Sequence, residues 1–227
     1  MEDRCDCDAG RDHRQRTKII GITGGICGGK STICSTLKRA GAITIDCDRL
    51  AHGIYAAGTA THASVIEAFG VDILERAPAD PSEVKTIEID RRKLGARVFG
   101  DAEALQRLNG IVWPAVHDAV VAKLRELCSA PEPPRAVFIE AALLLEAGYE
   151  RDICTDGVWV AYVPPDVACT RLMARNKLTE ADARARIASQ KPVDYYVSHA
   201  TRAFCTDKPQ EEVAAEVLDA YDKLLQP

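Results

Sequence analysis

The stretch GGICGGKS at residues 24–31 has the form G-x-x-x-x-G-K-[ST], the pattern of a loop that binds nucleotide phosphates. It lies between an apolar run that begins at Lys18 and a segment with a helical pattern that follows Ser31. Glycines in such a loop let backbone N–H groups turn toward phosphate oxygens, and the next helix points its positive end at them. We therefore interpret residues 24–31 as a phosphate loop for a nucleoside triphosphate rather than as an ordinary glycine turn.

The predicted nucleotide site comprises the whole loop and the residue after it. The Lys30 ammonium can reach the β- and γ-phosphates, and the Ser31 hydroxyl is expected to hold Mg²⁺. The residues expected to bind the nucleotide are Gly24, Gly25, Ile26, Cys27, Gly28, Gly29, Lys30, Ser31 and Thr32.

The composition excludes several classes of function. The chain has 227 residues, of which 47% are hydrophobic and 28% charged, an ordinary globular balance. A net charge of −5 argues against a nucleic-acid-binding surface. The sequence contains neither an apolar stretch long enough to span a membrane nor a secretory signal, so we expect a cytoplasmic protein. The nine cysteines are scattered, which is typical of reduced thiols.

Apolar runs alternate with helical patterns from residue 18 onward. Continuous apolar strands between helices predict a parallel sheet that is buried on both faces, which makes the fold class α/β. We expect residues 1–17 to form a flexible tail and residues 18–227 to form the folded domain. The expected strands are 18–23, 42–45, 136–139 and 157–163, with a first helix over 30–40 and a polar surface excursion over 75–88.

Two segments interrupt the alternation of strands and helices and are candidates for substrate-specific parts. Residues 48–128 are largely helical, with one helix expected to open at Arg91 and another at Trp113-Pro114. Residues 165–191 form an Ala-rich helix–turn–helix that carries several arginines. In a phosphoryl-transfer enzyme such a segment is typical of a lid that brings guanidinium groups to the transferring phosphate. The alternative is a solvated face paired with nearby acids, and the phosphate loop makes us favour the lid.

Three carboxylates follow predicted strands, where the carboxyl ends of a parallel sheet form one crevice. Asp46 is expected to accept or orient the proton of an acceptor hydroxyl. Asp48 is either a second functional acid, as a metal ligand, or the N-cap of the next helix. Glu140 ends a strand and is expected to reach Mg²⁺ through water. Glu146 follows an apolar run and is a weaker candidate.

These pieces, in this order, resemble the dephospho-coenzyme A kinase family, over about residues 18–200. Two stretches, VWP at 112–114 and IEAALLLEAGY at 139–149, are most similar to the kinase domain of the eukaryotic bifunctional coenzyme A synthase. The motifs that carry the resemblance are IGITGG at 20–25, IDCD at 45–48, AFG at 68–70, DR at 90–91, LN at 108–109, WP at 113–114, LLLE at 143–146, and Arg171 with Arg175.

The resemblance implies a nucleotide-kinase-like phosphate-loop fold of three α/β/α layers, with a helical acceptor-binding region at 48–128 and a lid at 165–191. It implies ATP-dependent phosphorylation of the 3′-hydroxyl of dephospho-coenzyme A, the last step of coenzyme A synthesis. On this analogy Asp46 activates the hydroxyl, Lys30 holds ATP, and Arg175 with Arg171 neutralises the transferring phosphate. We weigh two alternatives: another small-acceptor nucleoside or nucleotide kinase, and an inactive nucleotide-binding regulatory module.

The sequence departs from the family pattern at three places. Cys27 stands where the family usually has glycine, which puts a loop position of positive φ in doubt. Ala168 replaces a frequent glutamine, and residues 197–199 lack a common asparagine pattern. The lysine, the hydroxyl and the acids of the expected site are all present. The sequence does not indicate an oligomeric state.

Overall fold

The computed structural model describes residues 16–226, so most of the expected tail at 1–17 lies outside the described residues. Its last two residues are held in place. The two terminal nitrogens of Arg16 donate to Asp156, at 3.0 and 2.7 Å, and Thr17 Oγ1 donates to the Pro134 carbonyl at 2.7 Å. These polar groups bond to loops on either side of the first strand, and the boundary at residue 17 stays a prediction.

Five parallel strands form one sheet in the described part of the chain, in the order β2-β3-β1-β4-β5. Successive residues of the central strands are buried although they face opposite sides, so both faces of the sheet are covered. This confirms the predicted parallel α/β fold. The strands are β1 (Lys18–Thr23), β2 (Ile43–Asp46), β3 (Ala136–Glu140), β4 (Val158–Tyr162) and β5 (Arg202–Cys205).

Helices connect most of these strands along the chain, and the longest connection, from β2 to β3, is largely helical. Two short 3₁₀ segments, Val71–Ile73 and Pro81–Thr86, accompany them. The helices are α1 (Lys30–Arg39), α2 (Cys47–Ile54), α3 (Ala60–Phe69), α4 (Arg91–Val98), α5 (Ala102–Cys128), α6 (Tyr149–Asp152), α7 (Pro165–Asn176), α8 (Glu180–Ala188), α9 (Val193–Ser198) and α10 (Gln210–Leu224). Among the described residues, none of the helices is both long and apolar enough to span a bilayer.

One compact unit holds the sheet and, within the described residues, comprises 16–46 together with 123–226. Helices α1 and α10 pack against one face of this sheet. The core there includes Ile20 and Phe138, which are fully buried, and Trp159, whose ring centroid lies 5.1 Å from that of Phe138. This packing fixes α1 relative to β1 and thereby shapes the loop between them.

The second compact unit, Cys47–Ala122, is helical and has its own core. Val65, Ile73 and Leu74 are almost completely buried in it. A bridge between Leu74 and Ile89 closes the excursion at 75–88, which is mostly exposed as the sequence predicted.

The sequence predictions were wrong at two elements. Trp113-Pro114 does not begin a helix, because Pro114 lies inside the 27-residue helix α5. Pro114 has no N–H to donate to the carbonyl of residue 110, four positions earlier in the helix. Residue 110 is glycine, and there is open space beside it. The sequence analysis also did not predict β5, which has only four residues, two of them exposed.

Candidate active site

The loop at 24–31 follows β1 directly and ends in the first turn of α1, as the motif predicts. Its glycines are required by close contacts. A Cβ at Gly24 would collide with the Ala161 carbonyl oxygen of β4, and one at Gly28 would lie 2.6 Å from the same oxygen. Gly29 has φ 94° and no room for a side chain, since a Cβ would lie 2.5 Å from Thr206 Oγ1. The loop is therefore pressed against the carboxyl edge of the sheet.

Cys27 adopts a left-handed backbone conformation, which glycine adopts more readily than other residues. Its φ is 56°, one of two positive values among the non-glycine residues that the structure describes. The loop therefore contains a residue with a side chain in a strained backbone conformation.

Lys30 and Ser31 are the first two residues of α1, and their roles at the nucleotide stay predictions. Lys30 Nζ donates to the Gly24 carbonyl at 3.0 Å, across the mouth of the loop. Ser31 is exposed in the first turn of α1, and Thr32 follows it. The N-terminus of α1, which is the positive end of its dipole, lies at Lys30. This region therefore offers a cation, a hydroxyl and a helix dipole to an anion.

The sheet register places Asp46 and Glu140 side by side. They are register partners at the carboxyl ends of β2 and β3, and Glu140 is also the partner of Ile22 in β1. Adjacent strands are about 4.8 Å apart, and register partners face the same side of a sheet. The two carboxylates therefore lie together at the edge from which the phosphate loop leaves β1.

Glu140 has a neighbour that the sequence did not indicate. The Cys34 thiol of α1 is buried and hydrogen-bonds to the Glu140 carboxylate. Burial, together with the nearby Glu140 charge, raises the pKa of Cys34 well above its usual range, so the thiol remains protonated and can donate. We interpret Cys34 as an inert neighbour of Glu140 rather than as a redox centre.

Asp48 does not cap a helix. It is the second residue of α2 and lies within its first turn, whereas an N-cap precedes the helix. An acid at this position complements the helix dipole. Its expected role as a metal ligand stays a prediction.

The segment predicted to be a lid contains two helices, α7 and α8, joined by three residues. Arg175 is exposed at the end of α7, and its Nε donates to the adjacent Asn176 side chain at 2.8 Å. Arg184 pairs with Glu180 and Asp166, at 2.8 and 3.2 Å. The solvated-face interpretation therefore describes Arg184, while the part played by Arg175 in a lid stays a prediction.

Arg171 bonds to the phosphate loop itself. Its Nη1 donates to the Cys27 carbonyl at 3.3 Å and to Thr206 Oγ1 at 3.0 Å, and its Nη2 donates to the Thr206 carbonyl at 2.7 Å. The Thr206 hydroxyl in turn donates to the Gly28 carbonyl at 3.0 Å. Gln190 Oε1 accepts from the Ile26 amide at 2.7 Å. Thr206 and Gln190 were not predicted as site residues, because they are more than 150 positions from the loop, although Gln190 lies near the end of the segment 165–191.

A cavity of about 370 Å³ lies beside the loop and beneath the end of α8. Ile26, Gln190 and Tyr196 are among its mostly apolar lining. Tyr196 donates to Glu146 Oε1 at 3.2 Å, while Glu146 Oε2 is buried without a hydrogen-bond partner in the structure. Burial and the Glu146 charge raise the pKa of Tyr196 to about 12. Glu146 is therefore half-buried and not a surface acid, and its hydrogen bond with Tyr196 connects it to α9.

The donor set fits Mg²⁺ only with a phosphate ligand present. Within residues 16–226, the structure shows no group of three His, Cys, Asp or Glu side chains that could hold a metal alone. Mg²⁺ commonly binds through one or two protein oxygens, waters and substrate phosphates. Ser31 and Glu140, beside the loop, are suited to that arrangement.

The sequence matches known proteins over most of its length. A family model described as "Dephospho-CoA kinase" matches residues 18–208. The dephospho-CoA kinase of Geobacter sulfurreducens is 37% identical over 205 residues, which are 90% of this chain and 98% of the relative. That of Moorella thermoacetica is 38% identical over 206 residues, which are 91% of this chain and 92% of the relative.

Solved structures share the fold. The crystal structure of TT1252 from Thermus thermophilus has a TM-score of 0.74 and 28% identity, and covers 93% of this chain and 100% of its own. A dephospho-CoA kinase from Campylobacter jejuni has a TM-score of 0.58 and 22% identity, and covers 92% of this chain and 97% of its own. The second likeness, at this identity, supports the fold alone.

Proposed function

The chain belongs to the dephospho-CoA kinase family, and from that premise we propose that it transfers the γ-phosphoryl group of ATP to the 3′-hydroxyl of dephospho-coenzyme A. The product is coenzyme A, so the reaction completes coenzyme A synthesis. The observation that carries the proposal is the pairing of Asp46 with Glu140 at the sheet edge where the phosphate loop begins. One carboxylate is available to the acceptor hydroxyl and one to the metal.

The loop and α1 would bind the triphosphate. Backbone amides of residues 24–31 and the Lys30 ammonium supply positive charge to the β- and γ-phosphates. Lys30 now bonds to the Gly24 carbonyl and would exchange that partner for phosphate oxygens. Ser31, and Glu140 through water, would hold Mg²⁺, which would supply positive charge to the phosphates.

Asp46 would accept the proton of the 3′-hydroxyl as the hydroxyl oxygen attacks the γ-phosphorus. The bond between that phosphorus and the β–γ bridging oxygen breaks, and ADP leaves with the electron pair. Arg175 is now exposed at the end of α7 and would reach the transferring group when the lid closes. Lid closure also excludes water, which would otherwise compete as acceptor.

The finer parts of the proposal rest on the residues rather than on the relatives. We propose residues 48–128 as the acceptor-binding region and 165–191 as the lid. The expected cytoplasmic location and the absence of nucleic-acid partners stay predictions.

An acceptor panel tests the proposed function. The purified chain is incubated with ATP, Mg²⁺ and, in separate reactions, dephospho-coenzyme A, adenosine, AMP or pantothenate, and each product is measured by mass spectrometry. We expect phosphorylation of dephospho-coenzyme A at a rate far above the others. Preference for adenosine or AMP would support a different small-acceptor kinase, and ATP binding without any transfer would support a regulatory module.

A further inference from the structure

Three side chains hold three successive residues of the phosphate loop by their backbone groups. Gln190 Oε1 accepts from the amide of Ile26, Arg171 Nη1 donates to the carbonyl of Cys27, and the Thr206 hydroxyl donates to the carbonyl of Gly28. The three distances are 2.7, 3.3 and 3.0 Å. We call Arg171, Gln190 and Thr206 the backbone clamp.

Two members of the backbone clamp are also bonded to each other. Thr206 is 4% exposed, and its hydroxyl accepts from Arg171 Nη1 at 3.0 Å while it donates to the loop. Arg171 Nη2 bonds to the Thr206 carbonyl at 2.7 Å. A hydroxyl that donates and accepts at once polarises both bonds, and in a buried site the loss of either leaves a costly unpaired group.

The backbone clamp surrounds the strained residue of the loop. Cys27 has φ 56°, and such a conformation persists in a non-glycine residue only where the surroundings fix it. The clamp bonds the residue before Cys27, Cys27 itself and the residue after it. Thr206 also contacts Gly29, where a side chain would not fit.

Apolar contacts connect the same part of the loop to the lid segment. The side chains of Ile26 and Cys27 pack against a small cluster in α7 and α8 that includes Leu172 and Ala183, both fully buried. Arg171 lies on α7, and Gln190 follows α8 by two residues. Ile26 and Cys27 are therefore attached to the lid by both hydrogen bonds and packing.

We propose that Arg171, Gln190 and Thr206 are positioning residues that set the phosphate loop in its ATP-receiving shape before the nucleotide arrives. A loop already held in its bound shape loses less conformational freedom on binding, so it binds its ligand more tightly. Arg171 acts on the loop backbone in this scheme rather than on the transferring phosphate. The identity of the nucleotide rests on the proposed function.

The matched pair Thr206→Val and Thr206→Ser tests whether the Thr206 hydroxyl contributes to ATP binding. Valine keeps the shape and removes the donor and acceptor, whereas serine keeps the hydroxyl. We expect Thr206→Val to weaken Mg²⁺·ATP binding at least about tenfold, because a buried hydrogen bond at the loop is lost. Thr206→Ser should stay within about threefold of the unaltered chain. Binding is measured by calorimetry well below each variant's melting temperature.

Gln190→Met provides a second test at another point of the clamp. Methionine matches the length of glutamine but cannot accept from the Ile26 amide. We expect weaker Mg²⁺·ATP binding with an unchanged KM for dephospho-coenzyme A, because the clamp acts on the nucleotide loop alone. Gln106→Met, at an exposed position of α5, is the matched control and should bind ATP normally.

A purely structural role would give a different result. In that case Thr206→Val and Gln190→Met would melt at lower temperature yet bind Mg²⁺·ATP as the unaltered chain does, and this would overturn the proposal. Because the readout is ATP binding, it is independent of the acceptor. A chain whose ATP binding follows the clamp but which fails to phosphorylate dephospho-coenzyme A would contradict the proposed function and support the clamp.

Discussion

Cys27 has a φ of 56°, a left-handed conformation that strains any residue with a Cβ and that glycine adopts without this strain. The strain costs about 1–2 kcal/mol in a residue with a Cβ. We therefore expect Cys27→Gly to be more stable than Cys27→Ala by about 1 kcal/mol, since both lack the thiol and only alanine keeps the strain. Urea unfolding of the two variants measures the difference.

Cys205 provides the control for this comparison. It ends β5 and is not among the residues with positive φ. There the glycine variant should be the less stable of the pair, because glycine weakens a strand. An alanine variant at Cys27 as stable as the glycine variant would show that the loop is not strained.

Asp46 carries the proton transfer in the proposed mechanism. We expect Asp46→Asn to lower kcat at least about a hundredfold, because asparagine cannot accept the hydroxyl proton. ATP affinity should change little, because the triphosphate binds to the loop. Steady-state kinetics and calorimetry measure the two effects, with Asp222→Asn on the exposed side of α10 as control. Near-normal turnover by Asp46→Asn would remove Asp46 from this role.

Single residues of the site differ in how far the sequence reveals them. Lys30 and Ser31 follow from the motif, because their spacing from the glycines fixes their place on α1. Thr206 and Gln190 could not be predicted, because their role depends on a fold that brings distant segments against the loop. Arg171 was predicted for its charge, and its bonds to the loop backbone emerged only in the structure.

Among the elements, α7 and α8, which we propose as the lid, carry the clearest functional prediction. We expect Arg175→Ala to lower kcat at least about tenfold with little change in the KM for the acceptor, because the guanidinium acts in the closed state. Arg125→Ala, at an exposed position of α5, is the control. An increase in KM with kcat unchanged would show that Arg175 binds substrate rather than stabilises transfer.

Long apolar strands and well-patterned helices could be predicted, and short or interrupted elements could not. β1 has the predicted bounds, and β3 and β4 differ from them by a residue or so at their ends. β5 lacks a continuous apolar run, so its place at the sheet edge depends on pairing with β4. Pro114 was interpreted as a helix start because proline favours that position, yet packing carries α5 through it.

For the molecule as a whole, a buried tyrosine predicts how stability depends on pH. Burial and Glu146 raise the pKa of Tyr196 to about 12, against about 10 in an unfolded chain. The unfolded state therefore releases this proton first, so the contribution is complete below about pH 10 and is lost as the pH rises toward 12.

Tyr196→Phe isolates this contribution. We expect the free energy of unfolding to fall less steeply between pH 10 and 12 in the variant than in the unaltered chain, as measured by urea unfolding at several pH values. Tyr221 and Cys34, whose pKa values are also raised, contribute equally in both proteins. Identical slopes would mean that Tyr196 is not held in its neutral form by its surroundings.

We propose that the phosphate loop holds the triphosphate of ATP while Asp46, at the carboxyl end of β2, accepts the proton of the acceptor hydroxyl. A crystal structure of the chain with Mg²⁺, a non-hydrolysable ATP analogue and dephospho-coenzyme A tests it most directly. We expect the γ-phosphate to bind to residues 24–31 and the 3′-hydroxyl to lie within hydrogen-bonding distance of Asp46. A triphosphate bound elsewhere, or an Asp46 carboxylate turned away from the acceptor, would contradict it.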